Sequence, residues 1–403
     1  MKMRLKSICD FVSRGSTPDY VDESPYKVMN QATFSKGFLD ESKIRFTRNE
    51  NKDAHIKKGD LLMASTGGGV LGKVYYFDSD DKSFYADSHV SILRNSKGRH
   101  LMKYLYYYFS IKYDEINETM VKGSTNQTEL QRNYLIAHEI DMPPIETQKK
   151  IVSYLDAKIA SIDKRIEILE KQSKAYTRLK KSIVHHAVTQ GLNSSVTLKN
   201  SGVAWIGMIP SNWDIKRIKD VSEINKKTLP ENTDSNYKFQ YIDISNVDEN
   251  GKINNGDIML FSEAPSRARR IVQKNDIIVS TVRTYLRAIA QIDFNANDTI
   301  VSTGFAVLSP LGVNSKFLLY SIRDNIIVDA ICSQSSGVSY PAISASRLSA
   351  ISIPCPPIDE QQAIANYLDE KCARIDASIE NIKKQIDLST RLKNAVIYEA
   401  LKG

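Results

Sequence analysis

Apolar residues recur at alternating steps of three and four along two long stretches of the chain. The first carries Ile151, Leu155, Ile159, Ile162, Ile166, Leu169, Tyr176, Leu179 and Ile183, and the second Ile364, Leu368, Cys372, Ile375, Ile379, Ile382, Ile386, Leu392 and Val396. A stripe of this period predicts a long helix with a coiled-coil seam, centred on Leu155–Leu169 in one copy and Leu368–Ile382 in the other. Pro143-Pro144 and Pro356-Pro357 open the stretches, and no Pro or Gly follows before Gly191 and Gly403. A proline pair stops the preceding strand and pre-sets the first turn. At 1.5 Å per residue each helix spans roughly 60–70 Å. One apolar stripe cannot bury itself, so each helix is expected to pack antiparallel against the other.

Before each helix the pattern changes to short β-type runs: 60–66, 73–77, 276–282, 288–292 and 305–309. Turn signals such as Asn250-Gly251 and Asn255-Gly256 separate some of them, and apolar helical pieces follow near 101–113 and 316–332. The predicted class is α/β, in the mixed α+β sense: two globular heads joined by two long helices in an antiparallel coiled coil.

The two halves are copies. Residues 143–190 align without a gap on 356–403 at an offset of 213, with 21 of 48 positions identical. The likeness extends thinly into the heads. Arg4-Leu5-Lys6 matches Arg217-Ile218-Lys219 at the same offset; Lys58-Gly59-Asp60-Leu61-Leu62 matches Lys274-Asn275-Asp276-Ile277-Ile278 at 216; Gly123-Ser124 matches Gly337-Val338 at 214. A duplication this long predicts a pseudo-twofold architecture. The expected divisions are a first head at 1–142, a spacer at 143–192, a second head at 193–355 and a second spacer at 356–403. Residues 193–216, with no counterpart at the chain start, read as a linker into the second head.

Net charge of +8 and a pI of about 9.0 are compatible with a polyanion partner. The excess is spread thinly, apart from 10 basic against 5 acidic residues in 143–192. Lys149, Lys150, Lys158, Lys164, Arg165, Lys171 and Lys174 suit either a DNA backbone or an acidic partner. Cys9, Cys332, Cys355 and Cys372 form no CxxC pair, which argues against a zinc site or a disulfide framework and fits a reducing cytoplasm. The start, MKMRLKSICDF, lacks a signal peptide's apolar core, and no run of about 18 apolar residues could span a bilayer.

Catalytic patterns are near misses. Gly67–Val74 imitates a phosphate-binding GxxxxGK[ST] loop, but Val74 replaces the hydroxyl residue and a strand pattern follows where a helix is needed. A glycine-rich hairpin is the better reading. Pro143-Pro144 and Pro356-Pro357 lack the flanking polar and aromatic residues of an adenine-methyltransferase [DN]PP[YF] element. Asp80-Asp81-Lys82 lacks an upstream acid, and His185-His186 has no further metal ligand at ligating spacing. No nucleophile–base set is present. The chain therefore reads as a non-enzyme.

The doubled element PP-I-[DE]-x-Q-x-x-I-x-x-Y-L-D-x-K-x-x-x-I-D, followed each time by a long helix, resembles the spacers of type I restriction–modification specificity subunits. So do SGVAWIGMIPSNWDIKRIKDV at 201–221, EAPSRARR at 263–270 and VSTVRTYLR at 279–287. The resemblance covers essentially the whole chain. It implies that each head is a target-recognition domain reading one half of a bipartite double-stranded DNA sequence, with the helices fixing the gap. It also implies assembly with two methyltransferase subunits and with restriction–translocase subunits. S-adenosylmethionine, ATP and magnesium would belong to those partners, with no cofactor on this chain. A two-headed coiled-coil scaffold without a DNA role is the competing class, and a fused enzyme is a third.

For DNA contact, the sharpest cluster is Arg267, Arg269, Arg270, Lys274, Arg283, Tyr285 and Arg287, since arginine forks suit phosphates and guanine edges. Ser339 and Tyr340 add a Gly/Ser-rich loop with an aromatic. In the first head, Ser124, Asn126 and Gln127 offer hydroxyl and amide groups, flanked by Lys122 and Arg132. Arg14 with Ser16, and Arg45 with Arg48, are further candidates. An ordinary polar surface competes with each of these readings.

Overall fold

The computed structural model describes residues 1–123 and 128–402. It divides into two compact units: Met1–Glu170 with Lys384–Gly403, and Lys171–Lys383. The spacer helices are α1 (Ile145–Gln190) and α2 (Ile358–Lys402). Each unit thus holds one head and stretches of both helices. The start of α1 accompanies the end of α2 in the first unit, and the reverse holds in the second, which is the antiparallel arrangement.

In the first unit the chain enters and leaves the head side by side. Strand Lys2–Arg4 pairs antiparallel with Glu139–Asp141. A four-stranded antiparallel sheet follows in the order Phe11–Arg14, Val90–Arg94, Leu61–Ala64, Val74–Tyr76. Leu61–Ala64 is buried at every position, as a continuous apolar run covered on both faces requires. A second sheet runs Tyr20–Val21, Arg45–Thr47, Tyr26–Met29, Phe84–Ala86, the last two strands parallel. Val152, Leu155 and Ile159 of α1 and Ile397 of α2 complete the larger core, alongside Leu5, Leu105 and Ile140.

The second unit repeats this plan. Asp214–Arg217 pairs with Ser352–Cys355. The antiparallel sheet runs Ser222–Ile224, Phe305–Pro310, Ile277–Ser280, Ile289–Gln291, and the mixed sheet Asp257–Leu260, Lys238–Ile242, Thr299–Ser302, Ala268–Ile271. The edges differ. Ala268–Ile271 forms a bulged strand on Thr299–Ser302, where the first unit, among the described residues, has the isolated bridge His55–Tyr85. Residues 193–216, read as a linker, are ordered in part as the hairpin Leu198–Asn200 with Met208–Pro210. Trp213 at its end is fully buried and donates to Glu360 at 3.0 Å.

The repeated spacer sequence is a docking code. Buried Gln148 accepts from the Leu101 N–H at 2.9 Å and donates to the Pro143 carbonyl at 2.8 Å. Gln361 does the same to Asn314 and Pro356, at 2.9 and 2.8 Å. Asp156 accepts from Tyr107 and pairs with Lys103; Asp369 accepts from Tyr320 and pairs with Lys316. Between the helices, Asp163–Lys393 closes at 2.7 Å in the first unit, and its repeat equivalent Asp376–Lys180 at 2.6 Å in the second. Replacing Gln148 with Leu leaves two part-buried backbone groups without their side-chain partner, at about 1–2 kcal/mol each, the lower part of the range for such groups. Gln148→Leu is expected to destabilise the first unit by about 2–4 kcal/mol in urea unfolding followed by circular dichroism. Gln361→Leu should instead move the tryptophan fluorescence transition, because Trp205 and Trp213 both lie in the second unit.

The seam is narrower than the sequence stripe. Leu155, Ile159, Leu169, Leu368, Cys372, Ile375 and Ile382 are buried, and Ile162, Ile166 and Ile379 half-buried. Tyr176, Leu179 and Leu392, expected in the stripe, are exposed. In the second unit Tyr176 and Leu179 line an open groove of about 580 Å³ whose other walls include Ala175, Ser378 and Asn381. Apart from Ile382, the facing residues are small or polar, so Tyr176 and Leu179 stay exposed.

Candidate nucleic-acid interface

The second head gathers distant residues into one cleft of about 630 Å³. Asp243, Arg267, Arg283, Tyr285 and Tyr340 all line it. Its floor is the turn after strand Ile277–Ser280. Thr281 and Val282 pair with the 336–343 loop, and the Arg283 N–H donates to the Pro341 carbonyl at 2.7 Å. That pairing sets the Arg283 guanidinium over the Tyr340 ring, 4.5 Å from its centroid. Arg267, exposed, stands 3.8 Å from half-buried Asp243, a loose ion pair. Tyr285, Ser339 and Tyr340 are exposed.

Other members of the arginine cluster point elsewhere. Arg287 hydrogen-bonds Asn325 and stands 3.6 Å from Asp329 on the helix Asn325–Ser333. Arg269 lies over Phe261, and Arg270 donates to Thr228. Burial holds the Arg270 guanidinium below its ordinary pKa. Lys274 is exposed in the turn ahead of Ile277. Proximity in sequence therefore overstates the cluster, because alternate strand positions face opposite sides.

In the first head most candidates have partners within the fold. Arg14 reaches Glu129 at 2.7 Å and the Leu130 carbonyl. Arg132 donates to the Val12 carbonyl, and Arg48 pairs with Asp19. Arg45 stacks on Tyr20 at 3.4 Å. Ser16 accepts from Asn51 beside a small cleft of about 160 Å³ lined also by Asp19 and Glu50, the wrong sign for phosphate. Lys122 is exposed. Ser124, Asn126 and Gln127 lie outside the described residues.

Strand register locates the first head's counterpart of the second cleft. The Thr66–Glu129 bridge corresponds to Val282–Ala342, and the Gly67 N–H bonds the Thr128 carbonyl as Arg283 bonds Pro341. This places Gln31, Thr66 and His89 beside the glycine hairpin, with Thr66 and His89 hydrogen-bonded at 2.7 Å and Thr66 bonded to Gln31. None of these three stands out in the sequence. The hairpin itself does: Lys73 runs straight into strand Val74–Tyr76, as read, with Gly67, Gly69 and Gly72 at positive φ. Among the described residues no metal-binding cluster occurs, and His185 approaches Asp324 at 3.3 Å. All four cysteines are free. No helix of the described residues is long and apolar enough to cross a membrane.

Two heads of one plan on a duplicated pair of helices define a two-headed, internally repeated protein. The chain belongs to the type I restriction–modification DNA specificity domain family, whose description matches residues 1–175 and again 210–388. It is 24% identical to the type I restriction enzyme MjaVIII specificity subunit of Methanocaldococcus jannaschii, over 89% of this chain and 82% of that one. It is also 24% identical to the EcoKI specificity subunit of Escherichia coli over 49% of this chain and 44% of that one. A chain solved in work on complex assembly of a type I restriction–modification system superposes with a TM-score of 0.71. That alignment covers 100% of this chain and 97% of the other at 16% identity, a likeness of fold.

Proposed function

We propose that each head reads one half of a two-part double-stranded DNA target while the paired spacers fix the gap and dock methyltransferase subunits. The chain contributes sequence choice and no chemistry of its own. Partner subunits bring S-adenosylmethionine for adenine methylation, and restriction subunits bring ATP- and magnesium-dependent translocation and cleavage. The observation that carries this reading is the contrast within the duplication. Gln148, Asp156 and Asp163 repeat as Gln361, Asp369 and Asp376 in the same docking roles, while the matching turns after the central strands diverge from Gly67 and Gly72 to Arg283 and Arg287. One frame with two different readers suits a target of two unlike halves. Half-sites read from one face of B-DNA lie about one helical turn, roughly 34–36 Å, apart.

Salt dependence separates this from a scaffold. Duplex binding by the chain with its methyltransferase subunits should fall by about 10³-fold or more between roughly 50 and 200 mM salt, as six or more phosphate contacts require. A scaffold without a DNA role would show no such binding.

A further inference from the structure

Arg283 and Arg287 both occupy the left-handed region, with φ of 51° and 56°. Side chains with a Cβ are disfavoured there, and glycine is the usual solution. The first head uses that solution: Gly67 and Gly72 sit at the matching places with φ of 89° and 88°. The second head therefore keeps two arginines where its own repeat shows that glycine fits.

One of them has an evident structural task. Arg287 ties the turn to Asn325 and Asp329 and so holds the loop in its disfavoured shape. Arg283 has no such tie. Its side chain is exposed and makes no salt bridge among the described residues, and its guanidinium rests on the Tyr340 face. Backbone strain kept at an exposed, unpaired side chain inside a cleft points to a ligand contact.

The cleft's charge identifies the kind of contact. Asp243 and Glu249 line it together with Arg267 and Arg283. Carboxylates would repel a phosphate, but they sit comfortably near base edges, which present donors as well as acceptors. Among base edges in the major groove, guanine offers two adjacent acceptors, O6 and N7, that match a guanidinium fork. We infer that Arg283 is the guanine-reading side chain of the second head, pre-aimed by Tyr340, at one G·C pair of the second half-site. This rests on the two-half reading proposed above.

The test uses the chain assembled with its methyltransferase subunits and duplexes in which each position of the second half-site is changed in turn. Wild-type protein should lose about 5- to 150-fold in affinity at one G·C position through this contact. Arg283→Gly, which installs the residue the first head uses, should abolish discrimination at that single position and leave the others, and the first half-site, unchanged. Because the panel reads ratios, it does not depend on the fraction folded. Tyr340→Leu should weaken the same position only. Uniform weakening across the panel, with a salt slope lower by about one, would mean a phosphate contact and overturn the inference. Retention of every preference by Arg283→Gly would overturn it as well. If wild-type protein discriminates at no second-half position, the recognition role of that head falls instead.

Discussion

Arg94→Ala is expected to destabilise the first head by about 3–5 kcal/mol, the effect of removing one partner of a buried ion pair. The Asp60 side chain is 1% exposed, and Arg94 grips both its oxygens at 2.6 Å while also bonding the His55 carbonyl at 2.8 Å. Asp60 in turn holds the Lys57 N–H at 2.7 Å, fixing the turn that launches the central strand. Arg94→Lys should fail nearly as badly, because an ammonium cannot reproduce the two-pronged grip. The second head solves the same turn differently. Asp276 holds the Gln273 N–H at 2.8 Å, but Ser309 stands where Arg94 would be. Burial pushes the Asp276 carboxyl above its ordinary range, opposed by hydrogen bonds from Ser309 and the Gln273 N–H. Urea midpoints of the variants decide the matter; a loss under about 1 kcal/mol for Arg94→Ala would show that the pair is not holding the turn.

Exchanging residues 193–355 for the corresponding head of a relative should replace one half of the recognised sequence and preserve the other half and the gap. The fold supports such a transplant because Asp214–Arg217 and Ser352–Cys355 lie antiparallel, so the chain enters and leaves the head at adjacent points. It also sets a condition on the donor. Gln361 and Asp369 remain on α2, while Lys316 and Tyr320, which Asp369 holds, travel with the head. The first head shows the same spacing in Lys103 and Tyr107. A donor with Lys and Tyr four residues apart on that helix face should dock; one lacking both should give an unstable chimaera. Methylated-site mapping reads the result, and a change in both halves would contradict modular recognition.

The helices, the duplication and the strand-rich heads were legible because periodicity and repetition are local signals. Leu155 and Leu368 fall in the buried seam as their spacing requires. The outer stripe misled at Tyr176, Leu179 and Leu392, because a period says which residues share a face but not whether the opposite helix offers volume to receive them. The cleft was legible only in part. Arg283 and Tyr340 are far apart in sequence and meet through strand pairing. Arg14 and Arg287, equally basic to the eye, are bonded within the fold. Charge in a sequence gives no information about which partner satisfies it. Gln31, Thr66 and His89 became visible only once the register of the two heads could be compared.

The central claim is that one chain, carrying two unlike readers on a duplicated frame, chooses a two-part DNA sequence for modification. Mapping methylated adenines across the genome of a host with and without this gene tests it most directly. The account predicts that its removal erases methylation at a single motif made of two short specific halves separated by a fixed unspecified gap. Unchanged adenine methylation, or loss of a continuous motif with no gap, would contradict it.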